Sequence, residues 1–111
     1  MDNKKNDKYF LEKIISDTRF LIEHTCDLTE ESIGVNEVLL DSIMFRLIQI
    51  SENSQKLTEA FRASNSHIPW FAIRGLRNRI VHAYGDVDLG VIYDTVKNDI
   101  PKLYSKLLEL I

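Results

Sequence analysis

Apolar residues recur at steps of three and four along nearly the whole chain, and nowhere do they alternate long enough to suggest a strand. That period matches the 3.6 residues of a helical turn, so the pattern confines the chain to an all-α fold. It predicts four helices. The first runs from about Asp7 to Cys26, with Phe10, Leu11, Ile14, Ile15, Leu21, Ile22 and Thr25 inward and Glu12, Lys13, Asp17 and Glu23 outside. A polar connection, DLTEESIGVN, holds Gly34 and an Asn36 suited to capping the next helix.

The second helix is predicted over Val35–Ala63, carried by Leu39, Leu40, Ile43, Met44, Leu47, Ile48, Leu57, Ala60 and Phe61. At 1.5 Å per residue it would be about 43 Å long. Its apolar stripe is interrupted by SENSQ, Ser51 to Gln55, where a bend or split is expected. SNSHIP breaks the pattern, and a third, short helix spans about Pro69 to Tyr84 through Trp70, Ile73, Leu76, Ile80 and Val81. Gly85 fits the position just past its end. Asp88 is placed to cap a fourth helix that runs to the C-terminus, with Pro101 inside it as a source of bending.

These elements predict an up-and-down bundle of four to five helices, residues 1–111 forming one domain. Phe45, Ile50, Phe71 and Ile73 exceed what one narrow stripe needs, which predicts a second buried face and hence a homodimer. No apolar run approaches the ~20 residues of a membrane span. The N-terminal MDNKKNDKYF has no apolar stretch of a signal peptide behind it, and Cys26 is the sole cysteine, so no intrachain disulfide forms. A cytoplasmic protein is expected.

The net charge is −3, which argues against a generic binder of polyanions. The distribution is uneven. Between Ala60 and Gly85 there is no acid, but Arg62, Arg74, Arg77 and Arg79 occur with His67 and His82. That window carries +4, and the remaining 10 Lys and Arg face all 17 acids elsewhere. A solvated face would account for it; so would a local anion site, since arginine forks fit phosphate oxygens better than lysine does.

Inside this window lies RNRIVHAY, Arg77 to Tyr84. On an ideal helix Arg77 and Tyr84 share a face, Asn78 and His82 are neighbours, and Arg77 and His82 stand about 140° apart. One straight helix would not aim both at one atom, so either its last turn distorts or two copies of the motif meet across a dimer axis. Histidine moves protons near neutral pH, arginine stabilises charge building on phosphate, and Asn78 adds a neutral hydrogen bond. Such parts suffice to cleave RNA without a metal: a 2′-hydroxyl loses its proton, attacks the adjacent phosphorus, and the 5′ oxygen leaves protonated. Structural roles fit the residues singly: a packed histidine, an Arg77 salt bridge to Asp86 or Asp88, a core Tyr84, and Trp70 as a core anchor. His24, His67 and His82 are scattered, with no pair at metal-ligand spacing, and no Gly-rich phosphate loop occurs.

The run IPWFAIRGLRNRIVHAYGDVD, Ile68 to Asp88, resembles the signature of the HEPN superfamily, in particular its HepT-like branch of ribonuclease toxins. The branch's motif is an arginine, four residues, a histidine, one residue and a tyrosine, here Arg77, His82 and Tyr84, with Asn78 directly after the arginine. FRLIQISENSQKL resembles the family's second helix, with Ser51 before the acidic Glu52 where glycine is usual, and VIYDTVKNDIPKLYSKL resembles its closing helix through Asp99, Ile100 and Pro101. The match covers roughly Arg46 to Leu108.

The resemblance implies a HEPN-like dimer with both motifs lining one cleft, and a metal-independent endoribonuclease with no cofactor. Arg77 and His82 would be the catalytic pair, Asn78 and Glu52 supporting residues, and Arg74 and Arg79 contacts to the RNA. It also implies a toxin–antitoxin module whose antitoxin, a small nucleotidyltransferase, silences the chain by transferring AMP to Tyr84. Added phosphates there would neutralise Arg77 and block RNA entry. The competing expectation is a non-catalytic helical dimer that holds a nucleotidyltransferase or a nucleotide.

Overall fold

Five side chains decide where helices begin. Asn6, Thr29, Asn36, Thr58 and Asp88 each accept, through a side-chain oxygen, the backbone N–H three residues on. Each thereby satisfies a donor that a helix start leaves without an internal partner. The computed structural model describes residues 5–81 and 88–111. Among them the elements are α1 (Asp7–Thr25), α2 (Glu30–Gly34), α3 (Glu37–Lys56), α4 (Glu59–Ser64), α5 (Trp70–Arg74), α6 (Leu76–Val81), α7 (Leu89–Asp94), a π-helical turn (Thr95–Asp99) and α8 (Ile100–Leu108).

The all-α class is therefore met, and the described residues contain no strand. The helices are more finely divided than periodicity predicts, for local reasons. The polar connection after α1 contains α2, because Thr29 and Ser32 form a reciprocal capping box and Ile33 supplies a fully buried anchor. The long second helix does split, but beyond SENSQ. Leu57 leaves helical geometry at φ −67°, ψ 147°, and Thr58 starts α4 while its N–H and hydroxyl donate to the Asp7 carboxylate at 2.8 and 2.7 Å.

The SENSQ stretch stays helical because its polar atoms find partners. Ser51 donates to the Arg74 carbonyl at 3.1 Å and Ser54 to the Ser51 carbonyl at 2.7 Å. Both serines are buried, and their small side chains let α5 and α6 lie close on α3. The third predicted helix divides at Gly75 into α5 and α6, and its expected end at Tyr84, with the Gly85 cap, lies outside the described residues. In the fourth, Pro101 does not break the helix. A π turn precedes it, in which the Ile100 N–H reaches five residues back to the Thr95 carbonyl, and Pro101 then falls in the first turn of α8.

α1 packs along α3 and against α8, and α5 and α6 also pack on α3. The core between them is aliphatic, with Ile14, Leu21, Ile43, Leu47, Ile50 and Leu107 wholly buried. Ile50 and Ile73, assigned to a second face by pattern, belong to this core, whereas Phe45 and Phe71 are exposed. Asp17, expected on the outside, is buried on α1 and bound to Arg46 of α3 at 2.7 Å, and the Arg46 guanidinium also lies 3.9 Å over the Phe20 ring. None of the helices among the described residues is long and apolar enough to cross a membrane.

Candidate active site

The sequence leaves the partner of Arg77 open between two aspartates further along the chain. The structure gives a third answer. Arg77 of α6 forms a salt bridge with Glu52 of α3, Nε to Oε2 at 3.1 Å, with the two side chains 54% and 44% exposed. Asp88 instead caps α7 through the Val91 N–H at 3.1 Å, and Asp86 lies outside the described residues. The contact uses Nε, not the forked end of the guanidinium, which is the end that suits a phosphate.

Glu52 reaches this position because its neighbours are turned inward. Ser51, Asn53 and Ser54 are buried against the rest of the bundle, so the helical step leaves Glu52 at the rim of the α3–α6 contact. Asn78, next to Arg77, is exposed. His82 and Tyr84 come after α6 but lie outside the described residues, and so does every geometric relation expected between them and Arg77.

The arginine window is not one patch. The Arg62 side chain turns back on the end of α3, where Nη1 donates to the carbonyls of Ser54, Gln55 and Leu57 at 3.0, 3.4 and 2.6 Å. It closes a helix C-terminus, whose free carbonyls favour a cation. Arg79 lies about 200° around the helix from Arg77. It lines a separate groove of about 260 Å³ against α8, where Lys102 and Lys106 add positive charge and Asp99 negative. Arg74 borders a pocket with Ser54 and Gln55 of α3, and Arg77 meets Glu52 of α3, so both remain on the α3 side.

Trp70 is the anchor that the sequence suggests. It is half-buried on the core, its indole N–H donates to the Asn65 carbonyl at 3.0 Å, and its ring packs 6.3 Å from that of Phe61. Sequence reasoning passes over Gln55, which borders a pocket with Trp70, Phe71 and Arg74. The available signal is its position three residues after Glu52, which puts the two on one side of α3. No cluster of three or more His, Cys, Asp or Glu side chains that could hold a metal ion occurs among the described residues.

The described residues form an all-α bundle, and the sequence from Arg77 reads Arg-x4-His-x-Tyr, the two features on which the resemblance to HEPN proteins rests. The family model described as "Ribonuclease HepT-like" matches residues 14–110, and the chain belongs to that family. Its enzyme class is accordingly that of an endoribonuclease. Among curated relatives, a Thermococcus cleftensis protein named "Probable ribonuclease HepT" is 30% identical over 96% of this chain and 97% of its own length. A Caldanaerobacter subterraneus protein named as a putative RNase is 30% identical over 96% of both chains. A Methanocaldococcus jannaschii protein, named as a gamma-glutamylcyclotransferase and putative RNase, is 33% identical over 96% of this chain. The chain spans 48% of that larger protein. No solved structure gives a significant match.

Proposed function

We propose that the chain is a metal-independent endoribonuclease toxin that acts as a homodimer in the cytoplasm, with two Arg-x4-His motifs forming one composite cleft. The observation that carries this reading is the Arg77–Glu52 salt bridge at the exposed rim of α3 and α6. A carboxylate on Nε orients the guanidinium and leaves its fork to face a phosphate. Arg77 binds the scissile phosphate and stabilises the charge that develops on it. His82 is the general acid/base, and the two copies of it in a dimer serve the two ends of the reaction. One removes the 2′-hydroxyl proton as that oxygen attacks phosphorus. The other protonates the departing 5′ oxygen, leaving a cyclic phosphate and a free hydroxyl. Asn78 orients the substrate by a neutral hydrogen bond, Glu52 holds Arg77, and Arg74 contacts a neighbouring phosphate, whereas Arg79, in the separate groove against α8, does not share that phosphate row.

Tyr84 is the regulatory residue in this reading. Its hydroxyl attacks the α-phosphorus of ATP held by a nucleotidyltransferase antitoxin, losing its proton as pyrophosphate leaves, and the added phosphate opposes the field that attracts RNA.

The test is RNA cleavage in excess EDTA, with protein made apart from any partner and shown by intact mass to carry an unmodified Tyr84. The parent cuts, whereas His82→Ala and Arg77→Ala, folded and of the same oligomeric state, do not. Equal cutting by all three would mark a contaminant. A bare, folded parent that leaves RNA intact would favour the non-catalytic dimer that holds a nucleotidyltransferase.

A further inference from the structure

Phe71 is 89% exposed on α5, a large apolar ring standing in water. One exposed aromatic residue is ordinary on a protein surface. Its surroundings are less so. It borders a pocket of about 410 Å³ together with Ser54, Gln55, Arg62, Trp70 and Arg74, a size within the range of small-molecule sites. The pocket has two aromatic residues, two arginines, an amide and no acid.

The pocket's parts are fixed from behind. Trp70 is held by its bond to the Asn65 carbonyl, Arg62 by the end of α3, and the backbone of Arg74 by the Ser51 hydroxyl. Ser54 is buried and turned to the Ser51 carbonyl, so the Gln55 amide is the uncharged hydrogen-bonding group at the rim. Along the chain the pocket's residues lie close to the candidate active site. Gln55 lies three residues from Glu52 on α3, and Arg74 lies three from both Phe71 and Arg77 on the opposite wall.

We propose that this pocket is a nucleobase subsite. The base of a nucleotide flanking the scissile phosphate stacks on Phe71, its polar edge meets the Gln55 amide, and its phosphate meets Arg74. The inference rests on the ribonuclease reading for its place along the RNA. Unpaired RNA is the occupant that this chemistry fits: bases splay from a single strand onto aromatic faces, while arginines take the phosphates. A second copy of the chain is the competing occupant of the exposed ring, and the sedimenting mass of Phe71→Ala decides against or for it.

The probe is a single-stranded RNA hexamer carrying 2-aminopurine at each position in turn, titrated into His82→Ala protein so that the RNA survives. Stacking quenches the fluorescence. Quenching is expected at one position beside the cleaved bond. Phe71→Ala in the same background should abolish it and weaken binding roughly fivefold to a hundredfold, and Phe71→Tyr should retain both. In protein with His82 intact, Phe71→Ala should raise KM more than it lowers kcat. Quenching that survives Phe71→Ala, unchanged affinity, or a change in sedimenting mass on Phe71→Ala would overturn the subsite, the last by assigning the ring to a contact between copies. Protein that cuts RNA equally with and without the ring loses the subsite and keeps the ribonuclease. Protein that binds and quenches but never cuts keeps the subsite and loses the ribonuclease. Protein that does neither loses both.

Discussion

Arg77 and Glu52 meet at 3.1 Å across the seam between α6 and α3, two elements that the sequence separates by a helix break, a loop and a proline. Both side chains are about half exposed, where an ion pair contributes only ~0–1 kcal/mol to folding. Its consequence is directional. In the proposed ribonuclease, a carboxylate beside Nε would bias the guanidinium toward one direction before RNA binds.

Glu52→Gln therefore separates orientation from stability. The amide has the same shape but no charge to hold the guanidinium. Cleavage should fall roughly 10- to 100-fold, chiefly in kcat, while the unfolding free energy from urea titration changes by less than about 1 kcal/mol. A loss of stability in proportion to the loss of activity would make the pair a structural strut instead.

Arg62 presents the opposite case. Its Nη1 serves three carbonyls at the end of α3, so its charge is committed to the fold. Arg62→Met keeps the aliphatic stem and removes the donors. About 1.5–3 kcal/mol of stability should be lost, the range for hydrogen bonds to charged groups. Urea denaturation measures the loss, and hydrogen exchange should place the fraying at Ser54–Leu57.

Within the bundle, Asp17 is 5% exposed and one of its oxygens, Oδ2, has no partner, so Arg46 is its main compensation. Arg46→Met leaves a buried carboxylate unpaired and should cost about 3 kcal/mol; pairing it with Asp17→Leu should recover most of that, because an apolar pair of similar volume removes the buried charge altogether. Chemical denaturation of the two single variants and the double gives the coupling directly.

The helical class is legible because period and capping residues agree. Asn36 and Asp88 cap as the sequence implies, and the core stripe of α1 is buried almost as written. Asp17 is misplaced because periodicity reads polarity as exposure, and a carboxylate is buried only when a distant residue such as Arg46 answers it. For the same reason RNRIVHAY alone cannot name Glu52 as the partner of Arg77. Glu52 enters through a family resemblance, and only packing of α6 on α3 puts the two side chains together. The arginine window likewise looks like one patch because charge counting ignores direction. Helix rotation sends Arg77 and Arg79 to different grooves, and Arg62 turns back on the backbone.

Pro101 yields the last test. A proline inside a regular helix costs ~3 kcal/mol or more, because it lacks an N–H and crowds the carbonyl four residues back. Here the π turn at Thr95–Asp99 shifts the hydrogen-bond register by one residue before the proline. Pro101→Ala alone should change stability by less than ~1 kcal/mol, since packing rather than the proline holds the turn. Relaxing it to an α-helix would rotate α8 by about 100° and carry Leu103 and Leu107 out of the core. Deleting Asn98, an exposed residue of the π turn, restores a regular helix with that rotation already corrected, but it returns Pro101 to a helical interior. The deletion alone should cost about 3 kcal/mol, and combining it with Pro101→Ala should recover most of the loss. Urea midpoints for the three variants decide it: a deletion that stays destabilising after the proline is replaced would mean that the π turn has a role in packing beyond accommodating Pro101.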